Sequence, residues 1–195
     1  MIAFKYTKCD GAEYLSHLDL LRHVYRTLRR AGIEIKYSEG FHRHPKIYLN
    51  NPLPTGLKSI AEYCAVDTDF SGEFGHIFNT FSPKGVKCTA YKTVAENPNF
   101  AYAIEACRYF ARGLTCDAQE ILAREKITVT DLKGREIDLR PRLTELTCAD
   151  GGVYFTGKCG ENNLRADLFC DFLSGECGKR AEEIIKVAAY GNPVF

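Results

Sequence analysis

The chain has 195 residues, 45% apolar and 26% charged, with 26 Lys and Arg against 25 Asp and Glu. That is enough apolar chain for one large or two small domains with a core, and a net charge of +1 excludes a global steering field. The sequence has neither a signal-peptide-like start nor an apolar run near membrane-spanning length, so it reads as soluble and not exported, with no membrane contact. In chain order, Ile2, Phe4 and Tyr6 alternate with Ala3, Lys5 and Thr7, which predicts a half-buried strand. Ser16 caps a helix, with Asp19 in the position of a capping-box acid. Leu18, Leu21, Val24, Tyr25 and Leu28 recur at helical spacing and are expected to face the core, and Gly32 ends the helix as a left-handed cap. Ile33, Ile35 and Tyr37 alternate as a second strand, with Ile47–Leu49 a further extension after the Gly40–Pro45 loop. Residues 61–67 read as a strand, 73–81 as a helix, 82–85 as a turn and 86–90 as another strand.

Glu96-Asn97-Pro98-Asn99 reads as a linker, after which the order of elements repeats. Residues 100–109 are strand-like. Asp117 caps a short helix to about Arg124, Ile127 and Val129 alternate with threonines, and Lys133-Gly134 is a turn. Leu143–Cys148 and Val153–Cys159 flank Asp150-Gly151-Gly152 as a hairpin. A helix follows Asn163 and ends at Ser174-Gly175, and residues 183–190 form a last strand. Each half is β-α-β-β-α-β. The expected fold is α+β, with two ferredoxin-like (split βαβ) units over 1–95 and 96–195 and antiparallel sheets covered by helices.

Charge is unevenly spread. Residues 1–48 hold nine Lys and Arg against five Asp and Glu, and the remainder holds 17 against 20. A basic first third points to a local anion-binding face. Arg22, Arg26, Arg29 and Arg30 follow at three- and four-residue steps opposite the leucines, and Asp19 cannot pair with all of them. Arginine offers a planar fork that matches phosphate. His17 sits at the first helical position, where free N–H groups and the helix dipole favour an anion and an imidazole can move a proton. In the loop that follows, Ser38, Gly40, Phe41, Arg43, His44 and Lys46 combine a flexible turn, an aromatic plane and cations, the mixture that stacks a base and holds its phosphate. His42 and His44 are two apart but lack a third ligand, so no metal site is predicted. In the second half Arg140 lies in the basic run 133–142, able to pair with Asp138 or to reach the first-half site.

The nine cysteines are irregularly spaced, without the Cys-x2-Cys pattern of a zinc or redox site and without the three-cysteine spacing of a radical S-adenosylmethionine (radical SAM) cluster. They read as free thiols in a reducing compartment, and no cofactor is predicted.

Ser16–Leu20, Arg29–Gly32, Tyr37–Phe41, His44–Lys46, Pro52–Gly56, Glu62-Tyr63 and the later Asp138-Leu139-Arg140-Pro141 together resemble the radical-SAM-linked bacterial domain-of-unknown-function family. The chain departs from that pattern at His42-Arg43, where the family has Asn-Pro. The resemblance implies a cytoplasmic bacterial protein encoded beside or fused to a radical SAM protein, often near a ribonuclease of the E/G type, and hence an RNA-related task. It supplies no catalytic residues. The leading expectation is a non-catalytic RNA-binding module that presents a substrate to a radical SAM partner. Two alternatives stand beside it. One is a metal-free RNA endonuclease similar to the ferredoxin-like CRISPR RNA-processing enzymes, with His17 or His44 as the proton carrier. The other is a protein-only adaptor of the radical SAM enzyme.

Overall fold

A computed structural model describes residues 1–195, and the chain divides into two units. The first comprises Met1–Ala103 with Asn192–Phe195 and the second Ile104–Gly191.

The first unit runs β1 (Ile2–Lys8), α1 (His17–Arg30), β2 (Ile47–Leu49), β3 (Lys58–Val66), α2 (Phe74–Phe81), β4 (Cys88–Thr93) and α3 (Phe100–Ala103). Its sheet has the order β4-β1-β3-β2 with every pair antiparallel, which is the split βαβ arrangement. The alternation in β1 sends Ile2, Phe4 and Tyr6 into the core, where the Phe4 ring lies 5.0 Å from Phe74 and 5.1 Å from Phe78 of α2. From α1, Leu20, Val24 and Leu28 close over the same sheet face.

The second unit runs β5 (Ala106–Arg112), α4 (Ala118–Ala123), β6 (Thr128–Thr130), β7 (Glu136–Asp138), β8 (Leu143–Ala149), β9 (Gly152–Lys158), α5 (Ala166–Cys177) and β10 (Glu183–Tyr190). Its sheet order is β10-β5-β9-β8, the same topology, with the β6–β7 hairpin inserted between α4 and β8. Phe155 of β9 anchors its core against Tyr109 at 5.2 Å and Phe169 of α5 at 4.9 Å. The fold is therefore α+β with antiparallel sheets and helices, as the element order predicts. No helix is long and apolar enough to cross a membrane.

Local departures have local causes. Ile33–Tyr37 is not a strand. Its polar groups are taken up singly, Glu34 O by the Thr68 hydroxyl and Lys36 N–H by Asp67 O, and only Tyr37 bridges to Pro45, so β2 serves as the second strand. Leu18 is 61% exposed, because the buried stripe of α1 runs through Leu20, Val24, Thr27 and Leu28. Phe100–Ala103 is a helical turn, started by Asn99 O accepting from Tyr102 and Ala103 N–H. Helix α5 continues past Gly175 to Cys177 and stops at Gly178, whose φ of 68° is left-handed.

Candidate functional site

Helix α1 is bounded as its sequence dictates. The Ser16 hydroxyl accepts from Asp19 N–H and donates to the Asp19 carboxylate at 2.7 Å. At the other end Ala31, Gly32 and Ile33 form a Schellman turn, with Ile33 N–H on Leu28 O at 3.0 Å and Gly32 N–H on Arg29 O at 3.2 Å. This turn directs the chain straight from the helix end into the loop.

The loop is closed at its base. Tyr37 pairs with Pro45, Ser38 N–H donates to His44 O at 2.9 Å, and His44 N–H donates to the Ser38 hydroxyl at 2.9 Å. Ser38 thus helps to hold the loop shut through both its backbone N–H and its hydroxyl oxygen. Within it, Gly40 takes a φ of 107° that other residues adopt only under strain. The Phe41 ring stands 97% exposed, edge-on to His42 at 5.1 Å, and Arg43 and His44 are exposed beside it.

The loop base is tied to α1 through aromatic hydroxyls. Tyr25 and Tyr37 hydroxyls are 2.9 Å apart, and the Arg29 guanidinium lies 5.8 Å over the Tyr25 ring. The hydrogen bond shared with Tyr37 and then Arg29 lower the Tyr25 phenol from its ordinary pKa, while the same bond raises that of Tyr37. Arg29 and Tyr37 line one open groove of about 480 Å³, with Gly32, Ile33, Glu34 and Ile35 as its floor.

The sequence-predicted cations divide by what they touch. Arg22 is paired with Asp19 at 3.0 Å, and the Ser16 hydroxyl followed by Arg22 lowers the Asp19 pKa. Arg30 turns toward α2 and donates to Phe81 O at 3.0 Å. Lys46 lies 3.4 Å from the Asp67 carboxylate. Arg26, Arg29 and Arg43 form no ion pair and remain available to an outside anion.

Arg140 is committed elsewhere in the second unit. Its guanidinium donates to Leu122 O through Nε at 3.1 Å and Nη2 at 2.7 Å, and to Leu143 O at 3.3 Å, so it caps the C-terminal end of α4. The Asp138 carboxylate accepts the backbone N–H groups of Ile127 and Arg140, which lowers its pKa, instead of pairing with the Arg140 side chain. The second signature is thus tied to the backbone around the β6–β7 insertion, with the Arg140 guanidinium engaged by the Leu122 and Leu143 carbonyls.

His17 lies at the opposite end of α1 from Arg29, about 18 Å away at 1.5 Å per residue, so it does not share the loop site. It faces a different polar group. Burial lowers the His17 pKa, Glu62 opposes that and Lys8 adds to it. Lys8 and Glu62 are both buried, and Asn50 donates to Glu62 Oε2 at 3.1 Å while accepting Tyr63 N–H at 2.9 Å. The segments Ser16–Leu20 and Glu62-Tyr63 meet here. Sequence reading missed Lys8 and Asn50. The signal for Lys8 was present: it continues the Ile2, Phe4, Tyr6 alternation and so belongs to the buried face. No three His, Cys, Asp or Glu side chains are grouped as metal ligands, His42 and His44 included.

These features define a protein of duplicated ferredoxin-like topology with a basic, aromatic loop-and-helix face on its first unit. The chain belongs to the family described as "Uncharacterized protein conserved in bacteria (DUF2344)", whose model matches residues 2–168. No curated protein matches it. Among solved structures it is similar to a chain in the crystal structure of a Cbf5-Nop10-Gar1 complex, at 10% identity and a TM-score of 0.48. The match covers 96% of this chain and 48% of that one, so the present chain spans about half the length of the solved chain.

Proposed function

We propose that this protein is an RNA-binding module for a radical SAM partner, using α1 and the 38–46 loop to grip a single-stranded segment. The observation that carries the reading is Phe41, held 97% exposed at the tip of a closed loop. Leaving a phenylalanine in water forgoes about 1.5–3 kcal/mol of burial, and a stacking platform is the use that recovers it. Arg43 beside it, with Arg26 and Arg29 on the adjoining helix, supplies guanidinium groups free of carboxylates for successive phosphates. His44 lies next to Arg43 as a further polar contact. The association with a radical SAM protein rests on the signatures from Ser16 to Tyr63 and at Asp138–Pro141.

The test is fluorescence anisotropy with labelled single-stranded RNA in low salt, comparing the native chain with a variant carrying Arg26→Glu, Arg29→Glu and Arg43→Glu. Binding that falls more than tenfold in the variant is expected. Absence of binding by the native chain, or equal binding by both, overturns the proposal, and a complex with the radical SAM partner formed without RNA then supports a protein-only adaptor.

A second reading, metal-free RNA cleavage, is favoured by the half-buried setting of His17: burial lowers its pKa and so favours the neutral imidazole, the form that accepts a proton. RNA cleavage in chelator that His17→Ala abolishes would support it.

A further inference from the structure

In the second unit two thiols meet at the surface. Cys116 immediately precedes Asp117, whose carboxylate caps α4, and Cys148 lies near the end of β8, the outer strand of its sheet. Their sulfurs are 3.5 Å apart, and the Cys148 thiol also lies 2.9 Å from Cys116 O. A disulfide requires the sulfurs to approach about 1.5 Å further. Rotation of Cys148 supplies that movement, since it is exposed and β8 pairs with β9 alone. Cys177, at the end of α5, shares a cavity of about 400 Å³ with Cys116, Asp117 and Glu176. The three thiols are nevertheless not grouped as metal ligands. Geometry therefore favours pairwise sulfur chemistry.

We propose that Cys116 and Cys148 form a reversible dithiol–disulfide site that exchanges with small-molecule disulfides. The exposed Cys148 reacts first. Its thiolate attacks one sulfur of a disulfide RSSR, forming Cys148–S–S–R and releasing RS⁻. Cys116 then loses its proton to solvent and attacks the Cys148 sulfur, expelling the second RS⁻. Two protein thiols are oxidised by two electrons, RSSR is reduced to two RS⁻, and the two protons end on these or in solvent. Burial, then the neighbouring Cys148 thiol, pushes the Cys116 thiol up to about 12, so its attack is the slow step and accelerates with pH. Closure would tether the outer edge of the sheet to the start of α4, two points 32 residues apart in sequence.

The test uses the full chain, reduced, desalted and exposed to oxidised glutathione, then alkylated and mapped by mass spectrometry without reduction. The expected product is a peptide pair joining 113–124 to 143–158, two hydrogens lighter than the separate peptides. It forms several-fold faster at pH 8.5 than at pH 7.0 and reopens with dithiothreitol. In Cys116→Ser the reaction stops at a glutathione adduct on Cys148. Linkage of Cys148 to Cys177 overturns the assignment. So does closure of the Cys107–Cys159 pair first, whose sulfurs are 3.3 Å apart but whose Cys107 is buried. A glutathione adduct that persists on native Cys148, or nine thiols all left alkylated, overturns it as well.

Discussion

Removing Arg26, Arg29 and Arg43 together isolates the electrostatic part of the RNA-binding proposal. Each phosphate neutralised on a single strand contributes about −0.7 to the slope of log K against log salt. Three guanidiniums that carry no ion pair therefore account for a slope of about −2. Between 50 and 200 mM salt that share of binding weakens by roughly 20-fold. The triple alanine variant should show the slope reduced by about 2 when anisotropy titrations are run across that range. Arg22→Ala serves as the contrast. Its guanidinium is held by Asp19 at 3.0 Å, so its removal also frees a carboxylate and should lower affinity while changing the slope by less than one full phosphate contact. A triple variant with the native slope would refute the reasoning, because the three cations would then touch no phosphate.

Phe41→Ala should weaken RNA binding by about 1–3 kcal/mol while leaving the urea midpoint unchanged, since the ring packs on nothing but His42. Arg140→Ala should lower stability by about 1–2 kcal/mol by uncapping the α4 end, a thermal shift of about 2–6 °C in calorimetry. Arg140→Lys should restore it only in part, because an ammonium lacks the planar fork that bonds Leu122 O through Nε and Nη2 while Nη1 reaches Leu143 O. RNA affinity should survive both changes. In acid, the Arg135 backbone N–H and guanidinium hold Asp131 to about 2, and the Ile127 N–H lowers Asp138. Both groups favour the folded state when ionised, so their stabilisation is present above pH about 4 and is lost as pH falls toward 2. Urea midpoints measured at pH 5 and pH 2.5 should fall in acid, and Asp131→Asn should flatten the fall. An unchanged pH dependence in that variant would remove Asp131 from the account.

Much of the fold is legible because hydrophobic alternation and caps are local. The pattern Ile2-Phe4-Tyr6 gives β1, Ser16 and Gly32 bound α1, and Asp117 caps α4 by accepting Gln119 and Glu120 N–H. What the sequence cannot show is where polar groups find distant partners. Ile33–Tyr37 has the alternation of a strand, yet Thr68 and Asp67 take its hydrogen bonds from across the unit. The site divides in the same way. Phe41 is exposed and Arg26, Arg29 and Arg43 form no ion pair, whereas Lys46 and Arg140 have partners many positions away. The Lys8–Glu62–His17 group was hidden for the same reason. Its members come from β1, β3 and the start of α1, and only sheet pairing of Tyr6 with Glu62 brings them together.

The most direct measurement is photo-crosslinking of RNA carrying 4-thiouridine to the native chain, followed by mass-spectrometric mapping of the modified residues. The account predicts crosslinks concentrated on residues 38–46, with Phe41 the principal site and a signal that fades as salt rises. Crosslinks that fall on the second unit alone, or none at low salt, would contradict it.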